Sequence, residues 1–311
     1  MILLGLNLAW GGCLCLAETP SQERANPFVA STSKAARDNA LQSIPGEKLD
    51  AKARAKIAPV LASTSVFRRM PVHVIQCDPE LYVFLVHHPD VIVNVWRVLG
   101  ISPMVMEQTG PDSFKLSDGA GTRGTLEFLY RSRDTQVVYV DGSYSGPPFP
   151  KAIDGRGVLI LRTGYVQETD GRHYITSRLD AFLSVEPGVV EWLTKTFQPF
   201  VGKVADMNFI QTTAFVGSLS RTAEVNRAGV QRLAGKLTHV QPEVRQQFAK
   251  LSERVARKAA ERAETRGPGA PLMAQRATIV DTPEDAGKPQ SAVRPASAVT
   301  SGRETSPAPT P

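Results

Sequence analysis

Between Pro103 and Val185 the chain offers six strand-like stretches in succession, each closed by a turn signal. They are Pro103–Thr109, Ser113–Ser117, Gly124–Arg131, Thr135–Tyr144, Gly155–Gln167 and His173–Val185. The punctuation is Gly110-Pro111-Asp112, Asp118-Gly119, Ser132-Arg133-Asp134, Asp154-Gly155 and Asp170-Gly171. Strands that follow one another at hairpin spacing make an antiparallel sheet, so this run dominates the choice of fold. Ahead of it, Ser65–Cys77 reads as one more strand, with Val66, Met70, Val72, Val74 and Ile75. Asp78-Pro79-Glu80 then opens a short helix, with an N-cap residue and proline at the first helical position. Leu81, Phe84, Leu85 and His88 recur at helical spacing. Pro89-Asp90 starts a second helix through Val91, Val95, Val98 and Leu99, and Gly100 ends it. After Glu186-Pro187-Gly188 the period changes to that of a long helix over Val189–Glu224, interrupted early at Pro199 and Gly202.

Strand, two short helices, six strands and a long helix is an order that resembles the helix-grip fold of the START-like superfamily. This group is also called Bet v 1-like, polyketide cyclase-like or SRPBCC. The resemblance covers residues 65–226. It implies an α+β domain in which a curved antiparallel seven-stranded sheet wraps a long C-terminal helix around a hydrophobic cavity. The segments Val72-His73-Val74-Ile75-Gln76-Cys77-Asp78-Pro79-Glu80 and Ser117-Asp118-Gly119-Ala120-Gly121-Thr122 also look like an uncharacterised family of secreted, planctomycete-type bacterial proteins. Neither resemblance brings catalytic residues with it.

The flanks differ in kind. Met1–Ala17 is an apolar run that ends in Cys15-Leu16-Ala17 before polar Glu18, the pattern of a cleaved signal peptide, although no Lys or Arg precedes it. The expected location is therefore periplasmic or secreted; a short buried element is the other reading. Residues 18–46 read as a flexible linker, and 47–226 as the helix-grip domain, begun by a helix with Leu49, Ala53, Ile57 and Val60 at helical spacing. Residues 227–266 form a basic helical extension. Residues 267–311, rich in Pro, Ala, Ser, Thr and Gly, read as a disordered tail, because such a composition buries too little to offset its ordering entropy.

Charge follows these divisions. The chain carries 36 Lys+Arg against 30 Asp+Glu. Residues 64–226 hold 15 basic and 17 acidic side chains, whereas 227–266 hold 10 and 4. A mildly acidic body argues against nucleic acid as a partner. Within the extension, Val244, Phe248, Leu251, Val255 and Ala259 form a narrow apolar stripe over residues 239–264. It could pack back on the domain, pair with a second copy, or lie on a membrane surface.

Little reactive chemistry is legible. With Cys13 and Cys15 in the leader, Cys77 stands alone and reads as a small buried hydrophobe. His87 and His88 are adjacent and point apart on a helix, and no Cys/His or carboxylate–histidine spacing suits a metal. No metal, cofactor or catalytic residue is expected. Asp118–Gly124 imitates a phosphate loop but lacks its Lys-Ser/Thr ending, so a hairpin loop is expected. The residues best placed for a ligand are polar or bulky groups within apolar elements. Asn208 and Gln211 lie on the long helix beside Met207 and Phe215, where the amides would hold a polar end and the apolar pair the body of a ligand. Arg162 and Arg178, mid-strand, would receive an anionic head or else form a cross-strand ion pair with Asp180. Tyr144 belongs to a loop, Asp141–Pro150, that is either a lid or an ordinary stiffened hairpin loop.

The leading expectation is a non-enzymatic protein that binds a hydrophobic small molecule or lipid in a helix-grip cavity. A cyclase- or hydrolase-like enzyme using the same cavity, or a structural module with a filled interior, are the alternatives. Limited proteolysis is expected to remove residues 267–311 first and leave a fragment beginning before Ser65. Protection of that tail in the isolated chain would contradict the boundary.

Overall fold

The structure, a computed structural model, describes residues 26–146, 151–185 and 198–266, with side chains from 202 to 265 in the last segment. The expected leader, the turn at Glu186-Pro187-Gly188, the start of the long helix, Pro147–Pro150 of the expected lid and the tail 267–311 lie outside the described residues. In chain order the elements are α1 (Lys34–Gln42), a 3-10 turn (Gly46–Lys48), α2 (Ala51–Ala62), β1 (Val66–Arg69), β2 (His73–Gln76), α3 (Pro79–His87) and α4 (Pro89–Val98). The meander follows as β3 (Val105–Gly110), β4 (Ser113–Ser117), β5 (Thr122–Arg131), β6 (Thr135–Tyr144), β7 (Ile153–Gln167) and β8 (His173–Val185). Three helices close it: α5 (Gln198–Val225), α6 (Arg227–Gly235) and α7 (Pro242–Arg266). Among the described residues, no helix is long and apolar enough to cross a membrane.

The sheet is antiparallel and eight-stranded, in the order β1-β8-β7-β6-β5-β4-β3, with β2 also paired to β8. The eighth strand arises because Ser65–Cys77 is two strands, not the single one expected. Pro71 has no N–H to give the ladder. Arg69 pairs with Asp180 and His73 with Ser177, so four steps along one strand match three along the other. This bulge exchanges the faces. Phe67 and Arg69 point to one side of the sheet, whereas His73 and Ile75 point to the other.

Each face is covered. On the first, α1 and α2 bury Ala36, Ala40, Ala53, Ile57 and Val60 against Phe67, Val137, Val158, Ile160 and Phe182. The rings of Phe67 and Phe182 lie 4.9 Å apart. Residues 34–42, expected to belong to a flexible linker, are thus a helix docked on the sheet. Ser33 caps it through Ala36 N–H, and Ser31 pairs with Arg69 on the free edge of β1. On the second face, α4 packs Val93 against Met106, Phe114, Phe128 and Val138. There too, α5 lays Phe209 on Met70 and Ala181. Gly124, Gly142 and Gly155 sit in register across β5, β6 and β7. A Cβ on Gly142 would come within 2.9 Å of the Arg123 carbonyl, so this row lets neighbouring backbones approach more closely than side chains would permit.

The basic extension is built into the body. Val244, Phe248, Leu251 and Val255 of α7 join one core with Leu81, Phe84 and Leu85 of α3 and Val216 and Leu219 of α5. Phe84 and Phe248 stack at 6.2 Å. Its cations meet acids of the body: Lys258 Nζ lies 2.9 Å from Asp78, Arg262 lies 2.9 Å from Glu224, and Arg254 pairs with Glu80. The apolar stripe therefore faces inward. Phe248 is fully buried, and Phe248→Ala is expected to lower stability by about 3–5 kcal/mol in urea unfolding. A loss well under 1 kcal/mol would show that α7 is only loosely attached.

Candidate functional site

A groove of about 510 Å³ with a mixed lining runs around the edge strand β1. Val66, Met70, Ala181, Leu183, Gly202 and Ala205 contribute to its lining on the α5 side of the sheet, and Thr32, Lys34 and Arg37 bring α1 to its other flank. Arg68 shares this wall. It donates from Nε to Asp206 Oδ1 at 2.7 Å and pairs through Nη2 with Oδ2 of the same carboxylate. A Cβ at Gly202 would come within 2.6 Å of the Arg68 guanidinium, so glycine leaves room for it to lie against the helix. Arg37 is less occupied. Its Nη2 donates to the Leu61 carbonyl at 3.3 Å, while its buried Nε has no partner. Leu183 keeps 38 % of its surface exposed, an apolar residue left partly uncovered on this face.

The ligand residues expected from sequence do not assemble at one place. Asn208 and Gln211 are exposed on α5, and Met207 keeps 46 % of its surface. The face of α5 turned to the sheet holds Phe209, Thr213, Val216 and Ser220 instead. Phe215 is half-buried against Trp96 at 5.8 Å, edge to face. Tyr144 ends β6, close against Gly146 and Gly121. Arg162 and Arg178 do meet, but on the sheet face that carries α1 and α2, away from α5. There they lie opposite each other and within 3.8 and 4.0 Å of Asp180. Of the two roles expected for them, the ion pair with Asp180 is the one whose partners come together, and strand parity sets their face. Even-numbered residues of β7 and β8 share the face of Ile160 and Phe182, not that of Leu159 and Ala181.

Sequence reading passed over Arg68, Arg37 and Lys34. A signal was present for the first: in the strand Val66-Phe67-Arg68-Arg69, alternation must send two successive arginines to opposite faces. Each indeed finds its own acid, Asp206 for Arg68 and Asp180 for Arg69.

Other polar groups are structural in geometry. Tyr82 Oη, buried, lies 2.7 Å from Ser177 Oγ and 3.3 Å from Thr163 Oγ1. His73 Nδ1 lies 2.6 Å from Thr213 Oγ1, tying β2 to α5, and burial lowers its pKa. Burial pushes the Cys77 thiol up to about 12, which leaves it unreactive as a nucleophile. The loop at Asp118 is a hairpin loop. Asp118 Oδ1 accepts from the amides of Ala120 and Thr122, and Gly119 and Gly121 take positive φ. No group of three or more His, Cys, Asp or Glu among the described residues has the arrangement to hold a metal ion.

The junction of α3 and α4 is more strained. Asp90 is fully buried, and neither carboxylate oxygen makes a well-formed hydrogen bond. Burial pushes its pKa up to about 6 against the pull of the first α4 amides and Arg131. Burial together with Arg131 and His87 drives neighbouring His88 down to about 4.

No protein-family model matches the chain, and no curated protein matches it. Among solved structures it is similar to a conserved protein from Geobacillus kaustophilus, at 13% identity and a TM-score of 0.31, over 58% of this chain and 93% of that one. It is also similar to dicamba monooxygenase bound to 3,6-dichlorosalicylic acid, at 13% identity and 0.30, over 70% and 64% of the two chains. The terminal oxygenase of carbazole 1,9a-dioxygenase from Nocardioides aromaticivorans IC177 gives 15% and 0.24, over 61% and 58%. This chain thus spans less than two thirds of either oxygenase. At such scores the likeness decides neither family nor chemistry.

Asp90 yields a pH dependence of defined sign. Its folded pKa, near 6, lies above the unfolded value, so its contribution is intact below about pH 4 and is lost as pH rises through 6. His88 works oppositely, its contribution intact above pH 6.5 and lost toward 4. Asp90→Asn should therefore match the parent near pH 4 and exceed it by about 3 kcal/mol at pH 7.5, in paired urea titrations. An Asn variant that is less stable at pH 7.5 than the parent would refute the account.

Proposed function

We propose that the protein binds a hydrophobic small molecule or lipid with an anionic head, without transforming it, in the groove between β1, β8 and α5. The observation that carries this reading is the make-up of the groove. Val66, Met70, Ala181 and Ala205 offer an apolar lining, and Arg37 and Lys34 stand on its α1 side. A volume of about 510 Å³ falls in the usual range for small-ligand sites, which are mostly apolar with a few polar anchors. Arg68 is held by Asp206. That leaves Arg37, with its unpartnered Nε, as the better receiver of a head group. Lys34 is engaged at the surface with Asp38, a pair worth little in water. The proposal includes export, supported by the apolar Met1–Ala17 run.

The test is native mass spectrometry of the purified full chain for a co-purifying lipid, followed by titration with a dansyl-labelled fatty acid. Ala205→Phe should fill the groove and abolish binding while the far-ultraviolet dichroism stays unchanged. Arg37→Glu should weaken it by about tenfold to a hundredfold, on the order of one lost charge-assisted hydrogen bond or about 1.5–3 kcal/mol. A wild-type chain that neither carries a lipid nor binds the probe would sink the proposal, as would an Ala205→Phe variant that binds equally well.

A further inference from the structure

The opposite face of the sheet holds an unbalanced set of charges. Asp180, fully buried, accepts from Arg69 Nε at 2.6 Å and from Arg69 Nη2 at 3.1 Å. That fork-to-fork pair already satisfies the carboxylate. Two further guanidiniums nevertheless approach the same oxygen, Arg162 at 3.8 Å and Arg178 at 4.0 Å. Among the described residues, no other carboxylate lies within ion-pair distance of either. Three cations therefore share one anion.

The arrangement is also strained by register. Arg162 and Arg178 are direct cross-strand partners on β7 and β8, where like charges oppose each other at the shortest side-chain spacing in a sheet. The Nε atoms of both are buried without a hydrogen-bond partner. Asn39 Oδ1 from α1 accepts from Arg69 at 3.0 Å and from Arg162 at 3.5 Å, and it brings no charge. Yet both arginines keep about a third of their side-chain surface, 29 % and 30 %, so a small ligand can reach them.

We propose that Arg162 and Arg178 form a receiving site for the phosphate group of a small ligand, on the sheet face opposite the groove. A phosphate dianion matches the charge left over once Asp180 has neutralised one guanidinium of three. Its tetrahedral oxygens can take an N–H from each of two facing guanidiniums, and the guanidinium is the side chain best suited to phosphate oxygens. Burial and the neighbouring guanidiniums lower the pKa of Arg178, in keeping with a cluster that lacks an anion. This site shares none of the groove's lining residues: α1 borders both, but Arg162 and Arg178 lie on the face of Phe182, whereas the groove's wall of Met70, Ala181 and Ala205 lies on the α5 side.

Two readouts on the full chain test it. In the first, phenylglyoxal labels arginines and mass spectrometry maps them. Millimolar inorganic phosphate, with ionic strength held by sodium chloride, should slow labelling of Arg162 and Arg178 several-fold and leave exposed Arg97 unchanged. In the second, thermal unfolding should shift upward by about 2–4 °C with phosphate, and Arg178→Gln or Arg162→Gln should erase the shift. In phosphate-free buffer these variants should unfold no earlier than wild type, since each removes a like-charge contact. Dihexanoyl phosphatidic acid below its micellar concentration forms the second arm. Protection by it alone assigns the phosphate to a lipid head group, whereas protection by both assigns it to a free phosphate. Absence of protection in both arms, or equal thermal shifts in wild type and variants, overturns the proposal. The labelling arm needs no variant, so it decides the matter even if a substitution fails to fold.

Discussion

The β7–β8 ribbon is apolar on both sides, and the rest of the chain is arranged to keep water from it. Val158, Ile160 and Phe182 look one way, while Leu159, Leu161, Leu179 and Ala181 look the other. An antiparallel sheet with one wet face needs only one covering layer; a ribbon of this kind needs two. Burying a side chain such as Phe182 contributes about 1.5–3 kcal/mol, so neither face can be left open without a large loss. The N-terminal helices meet the first demand and α4 with α5 the second. The side that carries α4 and α5 is covered less completely. Leu126, Val140, Leu159 and Leu161 remain half-buried, while Val137, Val158 and Ile160 are sealed. That asymmetry leaves the groove beside α5 and not beneath α2.

Most of the sheet was legible because its turns are written in Gly, Pro, Asp and Ser. The strands Ser113–Ser117, Thr135–Tyr144 and His173–Val185 fall where alternation and punctuation put them. What escaped has physical causes. The helix α1 buries only Ala36 and Ala40, so Lys34-Ala-Ala-Arg-Asp-Asn-Ala-Leu-Gln carries almost no apolar period. Its docking is decided by the sheet beneath it, not by its own composition. The orientation of α5 was obscured for the opposite reason. Its buried face includes Thr213, Gly217 and Ser220, while Val204 and Met207 are exposed, so polarity does not mark which side faces inward.

The candidate site was harder still to read, because the layer each arginine faces is set by tertiary packing. The identities of Arg162, Arg178 and Asp180 were visible, and so was their period of two. Which layer they face was not, since that requires knowing that α1 and α2 cover the even-numbered residues of β7 and β8. The basic character of residues 227–266 likewise left open packing on the domain, self-association or a membrane surface. Lys258, Arg262 and Arg254 find Asp78, Glu224 and Glu80 within the chain, so an uneven charge distribution along the sequence becomes local pairing in space.

The bulge at Pro71 makes the edge of this sheet a switch in reading frame. Upstream of it odd-numbered residues look toward α1; downstream they look toward α5. Deleting one residue between Arg69 and His73 would make three steps match three and remove the bulge. Plain alternation over three steps would still turn Arg69 to Asp180 and His73 to Thr213, because an odd number of steps ends on the opposite face. The extra residue is therefore not what divides the two layers; it gives Pro71 a place outside the paired positions. Related chains that keep both helical layers are expected to differ in length here by that one residue without exchanging a side chain between layers.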